Sequence, residues 1–351
     1  MTTEVSSHVE IRPFDRIEAS DGEYKALTEV RNRFTEESTP DDPPSSLENT
    51  KNQLRNVPPI FELHMWAAWD GSRMVGTANV GIPKMDTNQH LAQFDITVLP
   101  EYRRRGLGTR FLGPMVEVAE REDRRLLIAN TYSSVPAGEK FMETLGGNIG
   151  LSMRRNDLLI SDLDRNLVSS WIDRAQERAA GFEIREFVGP YPESILGQVS
   201  ELQRAINNMP RDTLELEDFE FTPDNLKRMD EAMVASGNTR WSFIAVEKAT
   251  GKFAGWTDIV FNPSKPNICD VGGTAVSAEY QNLGLGRWLK AAILDKLVRE
   301  KPEIIRVRTG NAHSNAPMLK INDELGFKPA LTMNLWQVET ATVKEFAGRQ
   351  A

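Results

Sequence analysis

Two stretches of the chain place apolar residues at helical spacing directly after a glycine-containing turn. Leu107, Phe111, Met115 and Val118 fall on one side of the first; Leu285, Leu289, Ile293 and Leu297 fall on one side of the second. Both patterns predict helices that bury one face against a sheet. A short apolar strand precedes each, at about Gln93–Val98 and Asp270–Val276. Further upstream, alternating apolar residues flank a glycine turn in Met65–Val80 (Asp70-Gly71) and again in Ser242–Ile259 (Thr250-Gly251). Such alternation predicts antiparallel hairpins. Between these sets, Asp164–Gly181 carries Leu167, Val168, Trp171, Ile172 and Ala175 at helical spacing, with Gly181 as the expected C-cap of a linker helix. The Pro-rich, acidic stretch Glu36–Ser46 predicts a loop or mobile flap.

The order of these elements repeats. Ile11 and Ile184, each within an apolar-Glu-Ile-Arg segment, lie 173 positions apart, and Gly76 and Gly255 lie 179 apart. The segment VLPEYRRRGLG (Val98 to Gly108) aligns without a gap to VSAEYQNLGLG (Val276 to Gly286), 178 positions on, and Leu145-Gly146 aligns to Leu325-Gly326 at 180. Matching segments in the same order at a nearly constant offset imply duplication. The expected division is a first copy over residues 1–163, a linker helix over 164–181 and a second copy over 182–351.

Composition narrows the chemistry. A length of 351 residues suits two ordinary domains. With 42 basic against 51 acidic residues the net charge is −9, which argues against nucleic acid as the main partner. No apolar run approaches the roughly 20 residues that span a bilayer, and the first residues lack a basic region followed by an apolar core. One cysteine, Cys269, excludes an internal disulfide and a cysteine zinc cluster. These features together predict a cytoplasmic protein. The histidines, His8, His64, His90 and His313, show no metal-ligand spacing, so no metal is expected.

The two glycine turns carry the most specific chemistry. Gly106 and Gly108, or Gly284 and Gly286, lack a Cβ, so main chain can approach a ligand closely. Successive N–H groups and the positive end of the following helix would then favour an anion such as a diphosphate. A glycine turn can equally be no more than a tight turn, and Arg103–Arg105 a solvated basic patch. The pattern is Arg103-x-x-Gly106-x-Gly108 and Gln281-x-x-Gly284-x-Gly286. It is neither the P-loop nor the dinucleotide fingerprint. Here the chain resembles the GNAT superfamily of N-acetyltransferases over about residues 8–160 and 182–340, in a two-domain layout similar to mycothiol-synthase-like tandem members.

That resemblance implies an α+β (mixed α/β) fold of two GNAT-like domains in tandem, each a mostly antiparallel mixed sheet flanked by helices. It implies acetyl-CoA as co-substrate. Its pyrophosphate would be gripped by Arg103, Arg104, Arg105, Gly106, Leu107, Gly108 and Thr109 in copy one. In copy two the same work falls to Gln281, Asn282, Leu283, Gly284, Leu285, Gly286 and Arg287. The strand ends at Val98 and Val276 would pair with the pantetheine arm, and main chain near Val276 would act as oxyanion donor.

In one branch of the family a glutamate lies about eleven residues before the motif. Counting back reaches Asp270 in copy two and Ala92 in copy one. Asp270 is therefore the expected general base, although a strand-start acid can also serve a turn or face solvent; Asp95 and Gln93 are neighbouring candidates in copy one. Many members carry a tyrosine acid four residues before the Gly of an L-G-F segment; the positions here hold Asn322 and Met142. Tyr132 is off-pattern. Asn311 and Asn315 could bond pantetheine, thiolate or a water, with Asn315 the second expected catalytic residue, and His313 could shuttle a proton.

Only copy two keeps the aromatic of L-G-F, at Phe327. Copy two is thus the expected catalytic half, copy one a structural or cleft-shaping one. The segment covering the acceptor holds Asp212, Glu215, Glu217, Asp218 and Glu220; copy one has Glu36, Glu37, Asp41 and Asp42. These acids would favour a small cationic amine, or simply be solvated loops. Phe219, Phe221 and Trp256 could line a pocket or sit in the core. The expected function is acetyl transfer to a primary amine of a small molecule. The alternatives are a degenerate acyl-CoA sensor without turnover and a protein acetylase. The oligomeric state is left open.

Overall fold

A computed structural model describes residues 9–350; His8 lies outside them. The first half runs β1 (Val9–Pro13), α1 (Asp21–Ser38), α2 (Leu47–Arg55), β2 (Phe61–Asp70), β3 (Arg73–Pro83), β4 (Leu91–Val98), α3 (Leu107–Arg121), β5 (Leu126–Tyr132), α4 (Pro136–Thr144) and β6 (Asn148–Leu159). Then follow α5 (Arg165–Arg178), β7 (Phe182–Val188), α6 (Leu196–Gln203), α7 (Pro223–Ala235), β8 (Thr239–Glu247), β9 (Phe253–Phe261), β10 (Ile268–Val276), α8 (Leu285–Glu300), β11 (Arg306–Ala312), α9 (Ala316–Glu324), β12 (Lys328–Glu339) and α10 (Thr340–Gln350).

The chain folds into two compact units whose borders differ from the expected division at 163 and 182. Unit 1 holds the residues up to Ser152, Thr213–Leu216 and those from Met333 onward; unit 2 holds Met153–Asp212 and Glu217–Thr332. The cause is which strand closes each sheet. In unit 1 the strand order is β1-β2-β3-β4-β5-β12, with β12 antiparallel to β5 from Met333↔Tyr132 to Glu339↔Leu126. In unit 2 the order is β6-β11-β10-β9-β8-β7, with β6 antiparallel to β11 from Met153↔Ala312 to Leu159↔Arg306. Each sheet thus takes its last strand from the other half of the sequence. The Thr213–Leu216 segment also joins unit 1: Thr213 N–H donates to Gly150 O at 3.0 Å, and Leu214 is buried.

Each sheet is mixed, the α+β arrangement expected. Among the described residues of the two units, β4–β5 and β10–β11 pair in parallel. The helix stripes read from the sequence are core: Leu107, Phe111, Met115 and Val118 pack in unit 1, and Leu285, Leu289, Ile293 and Leu297 in unit 2. The expected linker helix is α5, started by the Asp164 carboxylate, which accepts from Asn166 N–H and Leu167 N–H. It ends at Ala179 rather than Gly181. Its Val168 and Trp171 are buried in the unit 2 core, so it is a structural helix of that unit. The expected flap is partly ordered as helix: α1 continues to Ser38, Ser46 caps α2, and Asn32 holds the Ser45 main chain through two hydrogen bonds.

The repeated glycine of the hairpin has a packing cause. A Cβ on Gly255 would lie 2.9 Å from Ala275 O and 3.0 Å from Val276 Cγ2, and one on Gly76 would lie 2.9 Å from Thr97 O. The close approach of β9 to β10 depends on the bare α-carbon. Gly255→Val is expected to cost about 1–3 kcal/mol of stability by overpacking, read as a lower urea midpoint with an unchanged slope. An unchanged midpoint would mean that the strand pair yields freely.

Candidate active site

The site in each unit is built where its parallel pair parts. β5 follows β4 only from Leu91↔Leu126 to Phe94↔Ala129. β11 follows β10 only from Ile268↔Arg306 to Asp270↔Arg308. Beyond those residues one edge of β4 and of β10 has no strand partner from β5 or β11. The register fixes which amides face it. Val276 lies opposite Gly255, and Ser277 N–H donates to Ala254 O at 2.9 Å, so Val276 N–H turns away from β9 toward the open edge. Val98 is set the same way, opposite Gly76, with Leu99 N–H on Val75 O at 3.0 Å.

The glycine turns complete the open edge. Each strand passes through one 3-10 turn, Pro100–Tyr102 or Ala278–Tyr280. Then come two left-handed residues separated by one other: Arg104 (φ 60°) and Gly106 (φ 77°), Asn282 (φ 65°) and Gly284 (φ 84°). Left-handed positions alternating with ordinary ones turn consecutive N–H groups to one side, forming an anion nest, and α3 or α8 starts there with its positive end. The backbone is the same in both copies although the side chains differ.

Arg103 is committed elsewhere: its guanidinium donates to Glu37 Oε1 at 2.6 Å and, through Nε, to Val98 O at 2.9 Å. Arg104 and Arg105 are exposed, Arg105 lying over the Tyr102 ring at 5.4 Å. Leu107 and Leu285 bury their side chains in the cores. Gly108 lies close under Phe141, and Thr109 is half-buried. Gln281, Asn282 and Leu283 are exposed, and Gly286 opens toward Ile321 and Val276. Arg287 is clamped by Glu324 at 3.0 Å and lies over the Trp171 ring.

A β-bulge at Val271/Gly273 separates the two copies: β10 slips register on β9 there, while β4 pairs β3 without interruption. The extra residue alters the count that picked Asp270. By strand register Asp270 faces Arg308 on β11, and its counterpart in unit 1, facing Ile128 on β5, is Gln93 rather than Ala92. Asp270 is half-buried. The Asn315 carbonyl caps α9, accepting from Met318 N–H at 3.3 Å. His313 is exposed, and the Tyr132 ring packs edge-on against Phe34.

A further candidate, which the sequence reading did not single out, is Asp258. It stands in the middle of β9 opposite Gly273, and its Oδ1 accepts the Gly273 N–H at 2.6 Å. It fills the space that a Cβ on Gly272 would take. Loss of hydration pushes its carboxyl up to about 6, against the pull of the Arg240 guanidinium and the Gly273 N–H. Arg240 is itself held by Asp230 at 2.7 Å and lies over the Tyr191 ring at 4.0 Å. Tyr191 donates to Ser242 Oγ at 2.9 Å, and burial raises its phenol to about 12.

Unit 1 has a related carboxylate on the neighbouring strand: Asp95 on β4 faces Asn79 on β3, the positions of Gly273 and Asp258. Lost hydration raises the Asp95 carboxyl, against the Asn79 hydrogen bond and the charge of Arg31. The swap of acid and partner between strands was a signal available in the repeat.

The loop acids are mostly engaged. Glu37 holds Arg103, Glu36 lies 2.9 Å from Arg33, Asp218 lies 2.7 Å from Arg211, and Asp212 accepts from Ser314 Oγ at 2.7 Å. Glu215 pairs with Arg125 within unit 1. Phe219 and Phe221 stack at 5.9 Å, whereas Trp256 is core.

A sequence profile of the acetyltransferase (GNAT) family matches residues 25–146 and again 206–327. Comparison with curated protein sequences gives no match. Among solved structures the chain is similar to a tandem GNAT protein from the clavulanic acid biosynthesis pathway (24% identity, 95% of this chain and 98% of that one, TM-score 0.77). It is also similar to a GCN5-related N-acetyltransferase from Sphaerobacter thermophilus (14% identity, 96% and 97%, TM-score 0.64). At these identities the structures speak to the fold. Among the described residues no helix is long and apolar enough to cross a membrane. The twice-matched profile covers more than half of the sequence, and the chain belongs to the acetyltransferase (GNAT) family as a tandem N-acetyltransferase.

Proposed function

We propose that unit 2 transfers the acetyl group of acetyl-CoA directly to the primary amine of a small acceptor, and that Asp258 is its general base. The observation that carries this reading is a carboxylate of raised proton affinity held at a β-bulge, on the strand next to an open edge that ends in an anion nest. The nest suits the diphosphate of the co-substrate, and the open edge of β10 suits its extended arm, with Val276 N–H directed toward it. An amine arrives as an ammonium ion and must lose a proton before it can attack. A carboxyl poised near 6 is ionised at neutral pH yet basic enough to accept that proton.

In the step proposed, the amine nitrogen attacks the thioester carbonyl carbon, the C–S bond breaks, and its electron pair leaves on sulfur. Asp258 takes the ammonium proton before attack, the second nitrogen proton passes to solvent as the amide forms, and the thiolate is protonated from solvent. A cationic acceptor is favoured by the carboxylate itself; the loop acids, mostly paired, add less. Asp270 and Asn315 remain proposals of lower rank, because Asp270 sits at the Arg308 register position and Asn315 spends its carbonyl on a helix cap.

The test is thiol release from acetyl-CoA by the full chain across a panel of polyamines, aminoglycosides and amino acid derivatives. Acetyl-CoA binding with no release for any amine would favour the sensing alternative, to which the absence of tyrosine at Asn322 and Met142 lends weight.

A further inference from the structure

The core of unit 2 contains a buried polar chain that unit 1 lacks. Lys290 on α8 is 3% exposed and Asn322 on α9 is 0% exposed. Lys290 Nζ donates to Asn322 Oδ1 at 2.8 Å, and Asn322 Nδ2 donates to Asn311 Oδ1 at 2.6 Å. Asn311 is half-buried on β11, past the last residue that pairs with β10. In unit 1 the corresponding positions, six residues after the helix-opening glycine and four before the L-G glycine, hold Leu112 and Met142, both buried in an apolar core. The position of Asn311 holds Thr131, which accepts from Trp336 Nε1 at 2.8 Å.

The same fold therefore tolerates an apolar pair where unit 2 keeps a lysine and an asparagine. Burying a lysine is costly, and burial alone pushes its ammonium down to about 7, the Phe327 ring lying 5.4 Å from Nζ. Such a group calls for a reason other than packing.

The direction of the chain supplies one. An asparagine side chain can present either its carbonyl or its NH₂ to a neighbour; here Lys290 Nζ donates to the Asn322 carbonyl at 2.8 Å. Lys290 therefore fixes the Asn322 carbonyl toward itself and its NH₂ toward Asn311. That in turn fixes the Asn311 carbonyl inward and leaves the Asn311 N–H groups as the outer end. We propose that Lys290 is a positioning residue that sets the polarity of this chain, so that Asn311 offers hydrogen-bond donors to the coenzyme sulfur as the C–S bond breaks. The inference rests on the function proposed above. It supplies by aligned donors what the absent tyrosine would supply by its hydroxyl, while the proton that completes the thiol still comes from solvent.

The probe is coenzyme A itself, bound to the full chain, with its thiol titrated by ultraviolet absorbance of the thiolate. In the unaltered protein the bound thiol is expected to ionise about one unit or more below the free one, the size typical of nearby donors and cations. Lys290→Leu combined with Asn322→Met, which copies the unit 1 pair, should erase that shift while coenzyme A still binds within about threefold, a change too small to reflect a lost anchoring contact. Asn311→Ala, at a half-buried site, should erase it as well and serves if the double variant fails to fold. A thiol that titrates alike in all three proteins overturns the roles of both Lys290 and Asn311 and leaves the acetyl-transfer reading standing. No coenzyme A binding to the unaltered chain overturns the acetyl-transfer reading beneath it.

Discussion

Asp258→Asn is expected to lower kcat/KM for acetyl transfer about 10²–10⁴-fold, the usual contribution of a general base. The substitution keeps shape and keeps an acceptor oxygen for Gly273 N–H, so the bulge should persist. In the unaltered protein kcat/KM should rise with pH through about 6, because only the ionised carboxylate accepts a proton. The variant should lose that limb. A variant retaining both rate and limb would move the base elsewhere, first to Asp270.

Stability should move the other way. The folded-state carboxyl titrates above the ordinary aspartate value of 3.8, at about 6, so the native state holds the proton more tightly. This group therefore favours folding at low pH, and that contribution is lost as pH rises from about 4 through about 6. At neutral pH the ionised Asp258 is a liability of about 1–3 kcal/mol by the equivalence of pKa shift and free energy. Asn removes it, and thermal unfolding at pH 7 should show an unchanged or higher midpoint beside the loss of activity. A purely structural acid would show the reverse, a lower midpoint with the activity loss following from it.

Why the sequence disclosed the loops but not the proposed base is a matter of register. The glycine turns repeat without a gap because the left-handed positions at Arg104/Gly106 and Asn282/Gly284 constrain the chain identically in both copies. The helix stripes behind them are periodic and long, so they read directly. Asp258 lies in a mostly apolar strand and has Asn79 as its repeat partner, and the role proposed for it appears only when β9 is laid against β10. A count along one strand cannot register an inserted bulge residue, which is how Asp270 came to be matched with Ala92 instead of Gln93. The exchange of closing strands was illegible for a related reason. β6 and β12 are of equal length and follow equivalent helices, so either could complete either sheet by pattern alone; only the pairings with β11 and β5 decide it. Likewise Lys290 reads as a polar interruption on α8 until Asn322 and Asn311 are seen beside it.

Gly284→Glu should abolish turnover, with a loss of at least about 10²-fold, because it places a carboxylate where the proposed diphosphate would sit. A Cβ at Gly284 meets nothing within 4 Å, so the new side chain does not collide with the protein. Its cost to the fold is the left-handed backbone, about 1–2 kcal/mol for a residue with a Cβ, within what a domain of this size absorbs. Gly106→Glu is the matched control: the same backbone region, at φ 77° against 84°, and the same empty space. If unit 2 alone does the chemistry, Gly106→Glu should leave turnover near that of the unaltered chain. Calorimetry with acetyl-CoA then reports separately on whether unit 1 binds. A fall from two sites to one in the Gly106 variant would mark unit 1 as a second binder, consistent with the exposed Arg104 and Arg105 beside its nest. The opposite pattern, activity lost with Gly106→Glu and kept with Gly284→Glu, would transfer catalysis to unit 1. Asp95, a carboxylate on the open-edge strand β4 that lost hydration also raises, would then take the role proposed for Asp258.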